Sequence, residues 1–173
     1  MAQRDLTPSQ QAMVQTREAH SRTEFHDLDL EATLATMTKH PYLFFSPTLA
    51  SGEGREEVRD FYRGMMGQLP PDFQVTPVTD TIGSNRIVRE LILTFTHSVA
   101  MDWLLPGLAP TGKRVEIPLI IIFTFQGEKV ASERQYWDQA SMLMQLGVLD
   151  PGGLPITGTH SVQKLRQLTQ AGE

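Results

Sequence analysis

The chain has 173 residues, 40% of them hydrophobic and 20% charged, which suffices for one globular domain with its own core. A net charge of -5 argues against a nucleic-acid-binding face, and the absence of cysteine excludes disulfides, cysteine-based zinc sites and thiol catalysis. The longest apolar run, residues 118–125, is too short to cross a bilayer, so we expect one domain over residues 1–173 with no nucleic-acid or membrane partner.

The N-terminal segment MAQRDLTPSQQ is polar and lacks an apolar stretch, so we expect no secretory signal and a cytoplasmic location. Residues 1–6 are predicted to form a loose tail. A helix is predicted from Pro8 to about Phe25, because Thr7, Pro8 and Gln10 suit the N-cap, N1 and N3 positions of a capping box. Its apolar face is thin, so we expect this helix to cover one side of a sheet.

A second helix is predicted after Asp27, which can act as N-cap before the apolar spacing of Leu30, Leu34 and Met37. His26 falls at the corner between the two helices. It is either a partly exposed hinge residue or a side chain that reaches a pocket. His20, within the first helix, is predicted to lie on the surface.

An aromatic run bounded by prolines, residues 40–47, is predicted to be an edge strand or the end of a strand. A turn is predicted at residues 51–54, followed by the clearest amphipathic helix of the chain at residues 54–69. Methionines at helical spacing are typical of core filling, although they also suit a soft ligand-binding wall. The apolar stripe of this helix consists of Val58, Phe61, Tyr62, Met65, Met66 and Leu69.

The hydrophobic period changes to that of strands after residue 73. Turn residues at 83–85 and 126–129 predict two hairpins. The sequence therefore predicts an α+β fold with helices packed on a mostly antiparallel sheet. The predicted strands are residues 73–81, 86–100, 115–125 and 130–137.

Two further segments are distinguished by composition. The connection at residues 101–114 carries Trp103 and three leucines, which predicts either a pocket lid or a dimer contact. Residues 148–173 form a C-terminal extension, a linker followed by a short predicted helix at residues 161–169. The composition does not indicate whether this helix docks on the same chain or on a neighbour.

The sequence contains no phosphate-binding loop, dinucleotide fingerprint or closely spaced histidine pair. We therefore expect no metal site and no cofactor. The type of catalysis that these absences leave open is acid–base chemistry by isolated side chains. His97 continues an apolar strand face, either as a satisfied core histidine or as a polar group in a hydrophobic cavity. Asp138, where the last strand gives way to a helix, is either an N-cap or a catalytic acid or base.

Alternation along the last strand separates its polar residues into two faces. Arg134, Tyr136 and Asp138 share one face, and Glu133 and Gln135 share the other. Glu133 and Asp138 can line one cavity only if a bulge breaks the alternation. This pattern favours Asp138 over Glu133 as the group that faces a pocket.

Three segments resemble the SnoaL-like polyketide cyclases of the nuclear-transport-factor-2-like superfamily. They are HDLDLEATLATM, GREEVRDFYRGMM and PTGKRVEIPLIIIFTF followed by GEKVASERQYWDQASMLMQLG, and they cover most of residues 25–149. The resemblance implies a cone of helices wrapped on a strongly curved sheet. It also implies that the aspartate at the position of Asp138 is the acid–base residue of a ring closure that needs neither metal nor organic cofactor.

These observations lead us to expect a cofactor-independent enzyme that cyclises, isomerises, dehydrates or hydrolyses a small hydrophobic cyclic or polyketide-like compound. A non-catalytic binding module or dimeric accessory protein of the same superfamily is the alternative. The resemblance further implies a homodimer. We expect Asp138 and His97 to be catalytic, and substrate contacts from Tyr42, Phe61, Trp103, Arg134, Tyr136, Glu133 and His26.

Overall fold

A computed structural model describes residues 6–171, so most of the predicted tail at residues 1–6 lies outside the described residues. The helices are α1 (Pro8–Phe25), α2 (Leu30–Ala35), α3 (Gly54–Met66), α4 (Gln139–Gln145) and α5 (His160–Ala171). The strands are β1 (Met37–Phe45), β2 (Ala50–Glu53), β3 (Gln74–Ile82), β4 (Arg86–Thr96), β5 (Arg114–Gln126) and β6 (Lys129–Trp137). Among the described residues, no helix has the length and apolar character needed to span a membrane.

The six strands form one curved, unclosed sheet in the order β2-β1-β6-β5-β4-β3. β1 runs parallel to β6, and the other neighbouring strands pair antiparallel. Both predicted hairpins, β3–β4 and β5–β6, are present. The predicted α+β class, with N-terminal helices on a curved and mostly antiparallel sheet, is confirmed.

The capping box at the start of α1 is present as predicted. The Gln10 backbone N–H donates to Thr7 Oγ1, and the Thr7 backbone N–H donates to Gln10 Oε1. The prediction for α2 was wrong by two residues, because Asp29 and not Asp27 is its N-cap and accepts from the Ala32 backbone N–H. Asp27 instead pairs with neighbouring basic side chains at the surface.

Strands β1 and β2 differ from the sequence prediction. β1 is an internal strand between β2 and β6, and Pro41 is tolerated within it because the pairing register shifts between Met37 and Tyr42. Residues 51–53, predicted as a turn, belong to β2 and pair with β1. The edge of the sheet on this side is therefore β2, and the edge position predicted for residues 40–47 is wrong.

The core lies between the helices and the sheet. α3 packs against β1 and β2 and buries Val58, Tyr62 and Met65 from its apolar stripe, so those residues are core filling. The C-terminal helix α5 docks on β5 of the same chain, where it buries Val162 and pairs Arg166 with Glu116 at 3.1 Å.

Candidate active site

An open cavity of about 320 Å³, here called the groove, lies between the C-terminal end of α1 and strands β3 and β4. An inner space of about 20 Å³, here called the throat, adjoins it and has room for about one water molecule. The groove and the throat share five lining residues, Phe25, Phe73, Val75, Leu91 and Ile121. The throat is further lined by Leu93, Trp103, Leu119 and Gln135.

Gln135 is a polar side chain in the wall of the throat, and it is 3% exposed. Its Nε2 donates a hydrogen bond of 2.6 Å to Oε1 of Glu133, which is itself fully buried. Both residues lie on β6, two positions apart, so their side chains emerge on the same face of the sheet. A carboxylate therefore lies directly behind the polar wall of the throat.

The second oxygen of Glu133 belongs to a group of buried polar side chains. Tyr62 on α3 donates from its hydroxyl to Glu133 Oε2 at 3.1 Å. Nε2 of His20 lies 3.0 Å from the Tyr62 hydroxyl and 3.5 Å from Glu133 Oε2. Glu24 Oε2 lies 3.7 Å from the same imidazole nitrogen. We call His20, Glu24, Tyr62 and Glu133 the buried cluster.

The protonation of His20 follows from its second nitrogen. Nδ1 lies 2.6 Å from Oγ1 of Thr36, and that hydroxyl donates its proton to the backbone carbonyl of Thr33. Nδ1 must therefore carry the proton and donate to Thr36, because the hydroxyl has no second proton to give. Among the described residues, the polar atoms near Nε2 are oxygens of Tyr62, Glu24 and Glu133.

Glu24 is the least satisfied member of the buried cluster. It is 1% exposed, and neither of its carboxylate oxygens has a hydrogen-bond partner among the described residues. Burial, and then the charge of Glu133, hold the pKa of Glu24 well above its ordinary value. Burial also raises the pKa of Tyr62 well above its ordinary value, and the charge of Glu133 adds to that effect.

The buried cluster was missed in the sequence because its members do not look like a site in the linear chain. His20, predicted at the surface, is fully buried, and Glu24 is not among the predicted site residues. The available signal was helical spacing, since Met13, Arg17, His20 and Glu24 follow one another at three or four residues and all are buried. The inner face of α1 is thinly apolar because it carries the polar groups of the site.

Asp138 lies in a different position from the one expected. It is the N-cap of α4: Oδ1 accepts from the Ser141 backbone N–H at 3.0 Å, and Oδ2 accepts from the Ser141 hydroxyl at 2.6 Å. The residue is exposed and lines neither the groove nor the throat. The expectation that Asp138 faces an apolar cavity is therefore corrected, because the inward face of β6 is the one that carries Glu133 and Gln135.

His97 is buried directly after β4 and also lies away from both cavities. Its Nδ1 lies 3.3 Å from the backbone N and from Oγ1 of Thr111, and its Nε2 has no partner among the described residues. Burial lowers its pKa. This geometry agrees with the structural interpretation of His97 rather than with a substrate contact.

Trp103 does line the throat, where its ring packs edge to face against Phe45 and Phe73. It is only 7% exposed within a single chain, which favours the lid interpretation of its loop over a dimer contact. His26 lines the groove, although its side chain is mostly exposed.

The other predicted substrate contacts lie elsewhere. Tyr42 and Tyr136 are exposed large side chains, Arg134 lies on the outward face of β6, and Phe61 packs against Phe45 and Tyr62. None of these four residues lines the groove or the throat. Glu133 is the predicted contact that the structure brings next to the throat, through Gln135.

The buried cluster also provides atoms that could hold a cation. His20, Glu24 and Glu133 each offer one ligand atom, and these atoms lie within 4.8 Å of one another. The expectation of no metal site rested on the absence of closely spaced ligands. It overlooked His20 and Glu24, which are four residues apart on one face of α1.

Solved structures share this fold at low sequence identity. A protein from Jannaschia sp. CCS1 that is assigned as a SnoaL-like polyketide cyclase is 21% identical, with a TM-score of 0.70 over 86% of this chain and all of that one. A protein of ketosteroid isomerase-like fold from Catenulispora acidiphila, solved with trimethylamine, is 15% identical, with a TM-score of 0.61 over 83% and 96% of the two chains. AclR from Streptomyces galilaeus, assigned as a hydroxylase, is 18% identical, with a TM-score of 0.62 over 82% and 100%.

The family comparison is more specific than these structural likenesses. No curated protein matches the sequence significantly. The family described as SnoaL-like polyketide cyclase matches residues 16–146, which include α1 from its middle, the whole sheet and α4. Because this match covers well over half of the chain, the protein belongs to the SnoaL-like polyketide cyclase family.

Proposed function

We propose that this protein is an acid–base enzyme that acts on a small hydrophobic cyclic or polyketide-like molecule without an organic cofactor, and that Glu133 transfers the proton. One observation carries the proposal: a fully buried carboxylate lies directly behind Gln135, which lines the throat. Membership of the SnoaL-like family supports a cyclase or isomerase type of reaction.

The arrangement suits proton abstraction next to a carbonyl group. The Glu133 carboxylate takes a proton from the carbon beside the substrate carbonyl, which leaves an enolate. Return of that proton to another carbon isomerises the substrate. Attack of the enolate carbon on a second carbonyl instead closes a ring, and the alkoxide so formed takes the proton back from Glu133. Rotation of the Gln135 side chain, whose Nε2 now bonds Glu133, brings the carboxylate into contact with the throat.

The groove defines the class of substrate, because the throat has room for only about one water molecule. Their shared walls are aromatic and aliphatic, with stacked Phe25 and Phe73 at one side. Arg89 is a cationic side chain in the groove wall, but its guanidinium already donates to Asp80. A largely apolar ring system with one or two carbonyl oxygens fits this surface better than a multiply charged metabolite.

The proposal is tested by proton exchange, which needs no knowledge of the product. A panel of cyclic and aryl ketones is incubated with the protein in D₂O, and deuterium uptake beside the carbonyl is followed by NMR. We expect uptake with the wild type, and a loss of about 10²- to 10⁴-fold in Glu133→Gln. Asp138→Asn is the matched control, because the Asp138 carboxylate caps α4 at the surface. The rate of deuterium uptake with this variant should equal that of the wild type.

Two results would contradict this assignment. Full exchange by Glu133→Gln would remove Glu133 from the reaction. Loss of exchange in Asp138→Asn with retained stability would return the catalytic role to Asp138, as the family resemblance implies.

A non-catalytic binding protein is the second candidate, favoured by the observation that the throat is lined by Gln135 and not by Glu133 itself. Ketones that raise the melting temperature of the wild type but show no deuterium uptake would support this candidate. A homodimer remains part of both proposals, and light scattering of the purified protein measures it.

A further inference from the structure

We propose that His20, Glu24 and Glu133 bind one divalent transition-metal ion, with Zn²⁺ as the best-fitting ion. This inference does not rest on the proposed function. The metal would bind Glu133, the carboxylate that the proposed proton transfer uses, so the protein would have a metal-free and a metal-loaded state with different chemistry.

Two of the three distances between the ligand atoms are close to those of a small metal centre. Nε2 of His20 lies 3.5 Å from Glu133 Oε2 and 3.7 Å from Glu24 Oε2. Ligands bound to Zn²⁺ at about 2.0–2.1 Å in a tetrahedron lie about 3.3–3.4 Å apart. The two distances from His20 exceed this spacing by only a few tenths of an ångström, and all three ligand atoms lie within 4.8 Å of one another.

His20 is already oriented as a metal ligand. Nδ1–H donates to Thr36, which in turn donates to a backbone carbonyl, so Nε2 is the ring nitrogen available to a metal ion. Metal-binding histidines are commonly fixed in this way by a hydrogen bond from the other nitrogen. The Tyr62 hydroxyl lies 3.0 Å from Nε2 and 3.1 Å from Glu133 Oε2, and its single proton can serve only one of these two acceptors.

The carboxylate of Glu24 is independent evidence for a cation in the buried cluster. Both of its oxygens are buried and lack a partner among the described residues, and Oε2 points towards His20. A buried carboxylate without a hydrogen bond is costly. A metal ligand bond would satisfy it.

The charge balance of the buried cluster also favours a dication. Among the described residues, neither Glu24 nor Glu133 pairs with a lysine or an arginine. When both carboxylates of this almost fully buried site are ionised, one dication neutralises them. Because carboxylate and imidazole ligands bind a metal ion in their deprotonated forms, we expect metal affinity to fall at low pH.

Three protein ligands from imidazole and carboxylate suit Zn²⁺, and also Co²⁺, Fe²⁺ and Mn²⁺ with affinities that follow the usual order of these ions. The Tyr62 oxygen or a water molecule would complete a tetrahedron. Because the throat admits about one water molecule, we expect slow entry into the folded protein, and the metal is best added during refolding.

The experiment measures the metal content of the full-length protein. Wild type is unfolded, stripped with a chelator, refolded with Zn²⁺, dialysed and analysed by mass spectrometry for zinc. We expect one zinc per chain and a higher melting temperature than for protein refolded without metal. Glu24→Gln and His20→Gln should each lower the affinity by more than about 100-fold.

Asp138→Asn and His40→Gln are the matched controls, since each removes a surface side chain of the same type. Both should retain zinc like the wild type. Refolding with Co²⁺ gives a measurement that needs no variant, because a tetrahedral site produces intense visible absorption and hydrated Co²⁺ does not.

The proposal is overturned if wild type retains no zinc and Co²⁺ adds no intense absorption, or if Glu24→Gln retains zinc as wild type does. Deuterium exchange by metal-free wild type, absent in Glu133→Gln, would support the acid–base function whatever the outcome for zinc. The two proposals can therefore fail separately.

Discussion

The side-chain amide of Gln135 donates to Glu133 Oε1 at 2.6 Å and thereby connects the wall of the throat with the buried cluster. Both residues lie on the inward face of β6, and both are at least 97% buried. Gln135 therefore lies between the throat and the Glu133 carboxylate, and it contacts both.

Replacement of Gln135 by Met keeps the length of the side chain and removes the donor. Glu133 Oε1 then loses its partner in a buried environment, which should lower the free energy of unfolding by about 1–3 kcal/mol. Urea denaturation measures this loss. Gln163→Met, at an exposed position of α5, is the control and should change stability by less than about 0.5 kcal/mol. Equal stability of the two variants would show that the hydrogen bond is unimportant.

The raised pKa of Glu24 predicts a pH dependence of stability. The folded protein holds a proton on Glu24 at pH values where the unfolded chain, with an ordinary value of 4.5, releases it. This contribution is fully present below pH 4.5 and is lost as the pH rises through the folded pKa. The stability of wild type relative to Glu24→Gln should therefore fall with rising pH, by at most about 1.4 kcal/mol per pH unit for one proton.

Thermal or urea unfolding of both proteins in a buffer that contains a chelator measures this difference. The chelator matters because a bound metal would replace the proton and reverse the trend. A difference between the two proteins that does not change with pH would mean that Glu24 has an ordinary pKa in the folded state.

Two substitutions of Asp138, one by Asn and one by Ala, test its role as the N-cap of α4. Asn accepts the same backbone hydrogen bond as Asp at an N-cap, so Asp138→Asn should leave stability nearly unchanged. Asp138→Ala removes both bonds from Ser141 and should cost about 0.5–2 kcal/mol by urea denaturation. A large loss in the Asn variant would contradict the capping role.

Two glycines in and next to α3 make a matched pair. Gly64 is exposed on α3, and a methyl group added to its Cα would extend into open space, so Gly64→Ala should raise the free energy of unfolding by about 0.5–1 kcal/mol. A methyl group on Gly52 would lie 3.0–3.1 Å from backbone atoms of Glu57 and Val58, which cannot yield without moving the helix. Gly52→Ala should therefore cost about 1–3 kcal/mol, as measured by urea denaturation. Similar effects of both substitutions would contradict the close packing of β2 on α3.

Local signals predicted the elements of this fold well. The capping box at Thr7 placed α1 correctly, because its hydrogen bonds lie within one turn of helix. The alternation along β6 correctly separated Arg134 and Tyr136 from Glu133 and Gln135. These features depend on residues that are close in sequence, and a pattern of three or four positions is enough to specify them.

The candidate site was predicted less well, because alternation gives two faces and does not say which one is inside. The prediction chose the face of Asp138, whereas the sheet turns Glu133 and Gln135 inward against α1 and α3. His20 was missed for a related reason. A polar residue on a helix is taken as solvent-exposed until another element supplies hydrogen-bond partners for it.

The sequence by itself determined the helices, the hairpins and the family, since each depends on short-range propensity or on a pattern of residues along the chain. Only the tertiary structure decided that residues from α1, α3 and β6, as far apart as His20 and Glu133, share one buried polar cluster. Burial is a property of packed elements, and it is burial that raises the pKa of Glu24 and sets Glu133 behind the wall of the throat.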